Sequence, residues 1–146
     1  MAVAFAIVRH STPNGKAKMG PTGEMTVPKR LQLRREPECA ATARRWLEDE
    51  RDQRVNDTAL NNLKLVATEL INNAYIHGNG DIELVLELLD DRVRVEVIDE
   101  GEGAAVKIRD SGSRGGGWGL RIVDQLAISW GAYDGTTHVW AELPLS

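Results

Sequence analysis

The stretch Ala67-Thr68-Glu69-Leu70-Ile71-Asn72-Asn73-Ala74-Tyr75-Ile76-His77-Gly78 constrains the fold more than any other part of the chain. At about 100° per residue, the angle of a 3.6-residue turn, Leu60, Leu63, Ala67, Leu70, Ile71 and Ala74 share one broad apolar face. Glu69, Asn73 and His77 follow at four-residue steps and climb a second stripe roughly opposite. Leu65, Val66 and Ile76 flank that stripe. A carboxylate and a carboxamide among apolar neighbours, on a helix already packed behind, suggest a lined pocket. The alternative is the exposed polar stripe of an ordinary amphipathic helix, and periodicity alone leaves both open.

The rest of the chain can build a body around such a helix. Its 146 residues make one domain able to bury a core. A hydrophobic fraction of 42% and a charged fraction of 27% are those of a water-soluble globular protein. No apolar run approaches the ~20 residues that cross a bilayer. The first residues, MAVAFAIVRH, hold a short apolar run with no basic region before it, so no secretory leader is expected. Cys39 is the single cysteine, which leaves no intrachain disulfide and no cysteine-based metal cluster; a cytoplasmic location is expected. Residues 1–56 carry 11 Lys+Arg against 7 Asp+Glu, and residues 57–146 carry 7 against 15. With no dense basic stripe and no interleaved aromatics, neither nucleic acid nor a membrane is expected as a direct partner.

Residues 1–26 are dense in turn formers, Ser11-Thr12-Pro13-Asn14-Gly15 and Gly20-Pro21-Thr22-Gly23, and are expected to form a flexible N-terminal extension to a single domain at 27–146. Residues 27–34 read as a first strand. Glu36-Pro37 opens a helix, proline being tolerated at its first position, and the helix dissolves in the charged run 48–54. Asn56 or Asp57 caps the long helix, which ends at His77-Gly78 with glycine where a left-handed residue is wanted. Alternation in Ile82, Leu84, Leu86 and Leu88, a turn at Asp90-Asp91, and alternation in Val93, Val95 and Val97 make a hairpin. A lid-like segment, 104–116, leads to a short helix from Gly119-Leu120 to Leu126. Strands near 128–132 and 137–143 join at Asp134-Gly135. This order predicts an α+β two-layer sandwich, a mostly antiparallel mixed sheet with helices on one face.

Two further stretches carry chemistry. Asp99-Glu100-Gly101-Glu102-Gly103 closes a strand: the aspartate can accept a hydrogen bond from an exocyclic amine, and the glycines let backbone approach a flat ligand. A glycine-rich turn with an incidental aspartate is the plainer alternative. Gly115-Gly116-Gly117-Trp118-Gly119-Leu120 leads into a helix whose exposed amides and dipole suit phosphate oxygens. It is not a Walker pattern, because no Lys-Ser/Thr follows, and a flexible linker is its alternative.

Taken together in this order, Glu69-Leu70-x-x-Asn73-Ala74-x-x-His77-Gly78, Asp99-x-Gly101-x-Gly103 and Gly117-x-Gly119-Leu120-x-Ile122-Val123 resemble the three nucleotide boxes of the Bergerat-fold (GHKL) ATPases, which include gyrase, histidine kinases and MutL. The resemblance covers residues 27–146. It implies ATP and Mg²⁺ as cofactors, Glu69 as general base, and Asn73 as the Mg²⁺ ligand. It also implies Asp99 as the adenine contact, with Gly101, Gly103, Gly117, Gly119 and Leu120 around the nucleotide. Lys107, Arg109 and Arg114 are three candidates to meet the γ-phosphate, with no choice among them.

Within that superfamily the chain is similar to the small stand-alone anti-sigma factor serine/threonine kinases of the actinobacterial type. The similarity lies in Gly116-Gly117-Trp118-Gly119-Leu120-Arg121-Ile122-Val123-Asp124, Ser129-Trp130-Gly131 and Thr137-His138-Val139-Trp140, although Trp118 inside the glycine segment departs from the family pattern. This implies phosphorylation of a serine on an anti-anti-sigma antagonist of the STAS fold, a sigma factor as second partner, and a homodimer. The rival is a non-catalytic, ATP-dependent binding module that sequesters a sigma factor or another regulator.

Overall fold

The structure, a computed structural model, describes residues 27–101, 118–133 and 137–146. Five strands, β1 (Lys29–Leu33), β2 (Ile82–Leu88), β3 (Arg92–Ile98), β4 (Ser129–Tyr133) and β5 (His138–Pro144), are described together with three helices, two after β1 and one between β3 and β4. These are α1 (Cys39–Asp49), α2 (Asp57–His77) and α3 (Trp118–Leu126). The strands form one sheet in the order β1-β2-β3-β5-β4, with every pair antiparallel. The expected α+β sandwich is therefore present, with an antiparallel rather than mixed sheet among the described residues.

Opposed residues of antiparallel strands share a face, so the registers carry the apolar pattern across the sheet. Leu33↔Ile82, Leu84↔Val97, Val97↔Val139 and Ala132↔Val139 line up one apolar surface through all five strands. All three helices lie on it: α1 against α2 and β1, α2 against β2, β3 and β5, and α3 against α2 and β4. The predicted apolar face of α2 is the centre of this core. Leu60, Leu63, Ala67, Leu70, Ile71 and Ala74 are all buried, and burying side chains of this size is the main source of such a domain's stability.

The opposite sheet face is polar yet tightly paired. Arg94 reaches Glu142 and Glu96, each at 3.2 Å, and its guanidinium lies 4.3 Å over the Trp140 ring. Tyr133 Oη donates to Glu96 at 2.7 Å, and His138 Nδ1 sits 2.8 Å from the same carboxylate. Burial pushes the Glu96 carboxyl up, but the bonds from His138, Tyr133 and Arg94 outweigh it and hold the group below its ordinary value.

Local signals account for most element boundaries. Asn56 is the cap of α2, its side chain accepting from the Ala59 amide at 2.8 Å. The Leu89 amide donates to the Arg92 carbonyl at 2.8 Å and closes the turn over Asp90-Asp91. α1 starts two residues after Pro37, because the Cys39 amide first bonds the Glu36 carbonyl in a tighter turn and the helical pattern begins with Thr42 to Glu38. Cys39 is buried in the core, and burial pushes its thiol up. The extension at 1–26, the lid and the Asp134-Gly135 turn lie outside the described residues, although β4 and β5 do pair, from Tyr133↔His138 onward. No described helix is long and apolar enough to cross a membrane.

Candidate functional site

The core face of α2 fixes the rotation of the helix, and that rotation places Glu69 and Asn73 on adjacent turns, both half-buried. Neither side chain has a hydrogen bond or ion pair among the described residues. Burial pushes the Glu69 carboxyl above its ordinary value, with no charged neighbour contributing. The three apolar residues that flank the stripe part company. Val66 is fully buried in the core, whereas Leu65 is 49% and Ile76 65% exposed, so these three residues do not form the apolar lining that the sequence suggested. His77 is exposed in the last turn.

Beyond the end of α2 lies the second half of the site. The inward alternation of Val93, Val95 and Val97 continues to Asp99, which is only 6% exposed. Its amide donates to the Thr137 carbonyl at 3.0 Å, and its Oδ1 accepts from the Gly101 amide at 2.6 Å. The Thr137 hydroxyl in turn bonds the Gly101 carbonyl at 3.2 Å. Asp99 Oδ2 takes no donor from the described residues. With Oδ1 committed to the Gly101 amide, Oδ2 is the oxygen open to a donor brought by a ligand. An exocyclic amine of a flat base is such a donor.

Gly78 is where the two halves meet, and its role differs from expectation. Its backbone is extended (φ −89°, ψ −170°), not left-handed. A Cβ there would stand 2.5 Å from Asp99 Oδ2 and 2.6 Å from the Ala74 carbonyl. The position therefore requires glycine for close approach. The left-handed residue is Gly80, at φ +68°. The loop is fastened to the strand end twice: the Glu100 amide donates to the Asn79 carbonyl at 2.9 Å, and the Glu100 carboxylate accepts from the Asp81 amide.

Through Gly78 the structure joins the end of α2, with Asn73 and Glu69 on the turns before it, to Asp99 and Gly101 at the end of β3. Gly119 and Leu120 lie in the first turn of α3, and the Leu120 side chain packs partly against the core beside the fully buried Val123. Gly103, Lys107, Arg109, Arg114 and Gly117 lie outside the described residues. Two cavities among the described residues suit a nucleotide poorly, although the second shares Asp99 with the candidate site. One, of about 170 Å³, sits at the far end of the helices among Leu47, Leu60, Leu63 and Leu86. The other, about 210 Å³, is walled by Asp81, Glu83, Asp99 and Glu100, carboxylates that would repel a triphosphate.

Two contributors carried little sequence signal. Thr137 immediately precedes β5, and its place opposite the end of β3 becomes visible only once the strand register is known. Arg35 bonds both the Gly78 and Tyr75 carbonyls from the link between β1 and α1, forty or more residues away, which no periodicity announces.

For a divalent cation the donor chemistry fits Mg²⁺: the Asn73 carboxamide is a hard oxygen donor, with the Glu69 carboxylate one turn away. No cluster of three or more His, Cys, Asp or Glu able to hold a metal exists among the described residues.

Comparison with curated proteins finds no match. The family model of the histidine kinase-like ATPase domain matches residues 33–142, which take in all three helices and reach from the end of β1 into β5. With an unpartnered Asp99 oxygen beside a glycine contact and Asn73 on the facing helix, the chain belongs to the histidine kinase-like ATPase domain family, and ATP is the nucleotide this membership implies.

Proposed function

We propose that this protein is an ATP-binding anti-sigma regulatory factor that transfers the γ-phosphate of ATP to a serine of a STAS-type anti-anti-sigma antagonist. The observation that carries this reading is Glu69. It is a half-buried carboxyl, raised by desolvation, without a partner among the described residues, one turn from Asn73. A carboxyl with a raised value and no partner among the described residues is suited to take a proton.

In the proposed reaction the adenine amine donates to Asp99 Oδ2, and the first turn of α3 would offer amides to the phosphates. Mg²⁺, bound partly by Asn73, would neutralise the triphosphate charge. The antagonist's serine hydroxyl attacks the γ-phosphorus, Glu69 takes the hydroxyl proton directly or through water, the β–γ bridging bond breaks, and ADP leaves. Positioning and charge stabilisation supply most of the acceleration in such transfers.

The test is a labelled-ATP assay on a STAS-domain antagonist co-purified with the protein. Label should pass to the antagonist with the wild-type protein and not with Glu69→Gln, while both proteins bind nucleotide equally. A second reading is a binding module that sequesters a sigma factor without transfer. It is favoured by Leu65 and Ile76, eleven positions apart on α2 and so on one side of it, both open to solvent. That reading predicts a nucleotide-dependent complex and no labelled antagonist.

A further inference from the structure

We infer that Arg35 is a positioning residue for the adenine end of the site: by holding the carbonyls of Tyr75 and Gly78 it keeps Gly78 seated against Asp99. The inference rests on the nucleotide reading of Asp99 given above.

The C-terminus of a helix leaves its last carbonyls without helical partners. Here the chain leaves α2 in an extended conformation at Gly78, and the one capping bond is the Gly78 amide to the Ala74 carbonyl at 2.8 Å. The Tyr75 and Gly78 carbonyls are taken instead by the two terminal nitrogens of Arg35. A planar guanidinium can serve two acceptors at once, and its charge also complements the negative end of the helix dipole. The guanidinium lies 5.7 Å from the centre of the Tyr75 ring, which adds a cation–π contact to the same turn.

Arg35 is itself well anchored. It stands between Leu33 and Cys39, both buried in the core, and the Glu36 amide closes the local turn on the Arg34 carbonyl at 2.8 Å. The clamp therefore ties the end of α2 to the start of the chain's first helix. From the other side, Thr137 holds the Asp99 amide, and the Gly101 amide holds Oδ1. Among the described residues, what remains to set the direction of Oδ2 is the wall that Gly78 provides, since the Gly78 backbone leaves no room for even a methyl group beside that oxygen. Removing Arg35 loosens this wall, leaving it to the Gly78–Ala74 bond and the Glu100 bonds to the loop, and changes nothing that holds Asp99 from the strand side. It touches neither Glu69 nor Asn73, so the phosphate end should not feel the change.

The experiment compares dissociation constants for ATP and for purine riboside triphosphate, the same nucleotide without the 6-amino group. Wild type, Arg35→Ala, Arg35→Lys and Asp99→Asn are measured, with a melting curve for each. Wild type should prefer ATP. In Arg35→Ala, loss of a charged hydrogen-bonded clamp should weaken ATP about tenfold and leave the purine analogue unchanged, so the preference collapses. Arg35→Lys, which keeps the charge but not the fork, should fall between. A purely structural cap would lower Tm while the preference stayed at its wild-type value, and that result overturns the inference. If Arg35→Ala does not fold, Arg35→Lys decides: an intermediate preference supports the role and a wild-type preference refutes it. If wild type shows no preference for ATP, or Asp99→Asn binds ATP as wild type does, the nucleotide reading of Asp99 fails and the role of Arg35 falls with it.

Discussion

Gly78 and Asp99 are packed so closely that a single methyl group on the glycine would stand 2.5 Å from the aspartate Oδ2. This contact joins the end of the central helix to the end of the central strand. It makes the space for one oxygen depend on a residue that offers no side chain. The backbone at Gly78 is in an ordinary extended region, so the requirement for glycine there is steric and not conformational.

Gly78→Ala should accordingly be destabilising although alanine is comfortable at these dihedral angles. The added Cβ also meets the Ala74 carbonyl at 2.6 Å, and a backbone atom cannot swing away as a flexible side chain can. Overpacking of this kind costs about 1–3 kcal/mol. Thermal melts should show a lower Tm, and calorimetry should show weakened ATP binding. Wild-type affinity for ATP in this variant would mean that the contact plays no part in the site.

Glu69→Gln should separate stability from chemistry. Burial raises the Glu69 carboxyl above its ordinary 4.5. For a carboxyl shifted upward, the charged form opposes folding above the raised value. That cost declines as pH falls through the raised value and is gone below the ordinary one. The variant should therefore melt no lower than wild type at pH 7, and any advantage should vanish below the ordinary carboxyl value. Phosphate transfer by the wild-type protein should fall on acidification through the same raised value, because the base must be ionised. A variant that melts well below wild type at pH 7 would show that the carboxylate is a structural partner.

The Glu96 network predicts acid sensitivity of the opposite sign. Its carboxyl is held below its ordinary 4.5, so the stability it confers is fully present above that value and is lost as pH falls through the lowered one. Glu96→Gln should lower stability at pH 7 by about 1–3 kcal/mol, the range for charged hydrogen bonds. The difference from wild type should begin to shrink as pH falls below the ordinary 4.5 and be gone below the lowered value. Denaturant melts of both proteins at pH 7 and pH 3 test this, and an equal gap at both would remove Glu96 as its source.

Gly131→Ala probes the same face. A Cβ at that position would lie 3.1 Å from the Trp140 ring, which is 2% exposed and covered by Arg94 at 4.3 Å. The ring has nowhere to withdraw, so a loss of about 1–2 kcal/mol is expected, or roughly 2–4 °C in Tm per kcal/mol for a chain near this length. Unchanged Tm and near-ultraviolet circular dichroism would show that the ring can shift.

Much of the fold was legible because its signals are local. The face of α2 made by Leu60, Leu63, Ala67, Leu70, Ile71 and Ala74 follows from helical spacing. The two hairpin strands follow from alternation, and the Asp90-Asp91 turn and Asn56 cap from the chemistry of single residues. Glu69, Asn73 and Asp99 were legible as candidates because they stand at regular positions in otherwise apolar patterns. The state of Leu65, Val66 and Ile76 was not. Three apolar residues beside one stripe look alike in sequence, and only the packing of α2 against the sheet separates the buried one from the two exposed.

By itself the sequence determined which segments are helical or extended and which of their faces are apolar, since both depend on neighbours a few residues apart. The tertiary structure alone decided the strand order β1-β2-β3-β5-β4, the use of Gly78 as a steric seat for Asp99, and the recruitment of Thr137 and Arg35. Each of these joins residues tens of positions apart, and their proximity is set by how the apolar faces stack. A short-range pattern carries no record of that distance, so the carboxylate could be singled out in the sequence, but the groups that aim it could not.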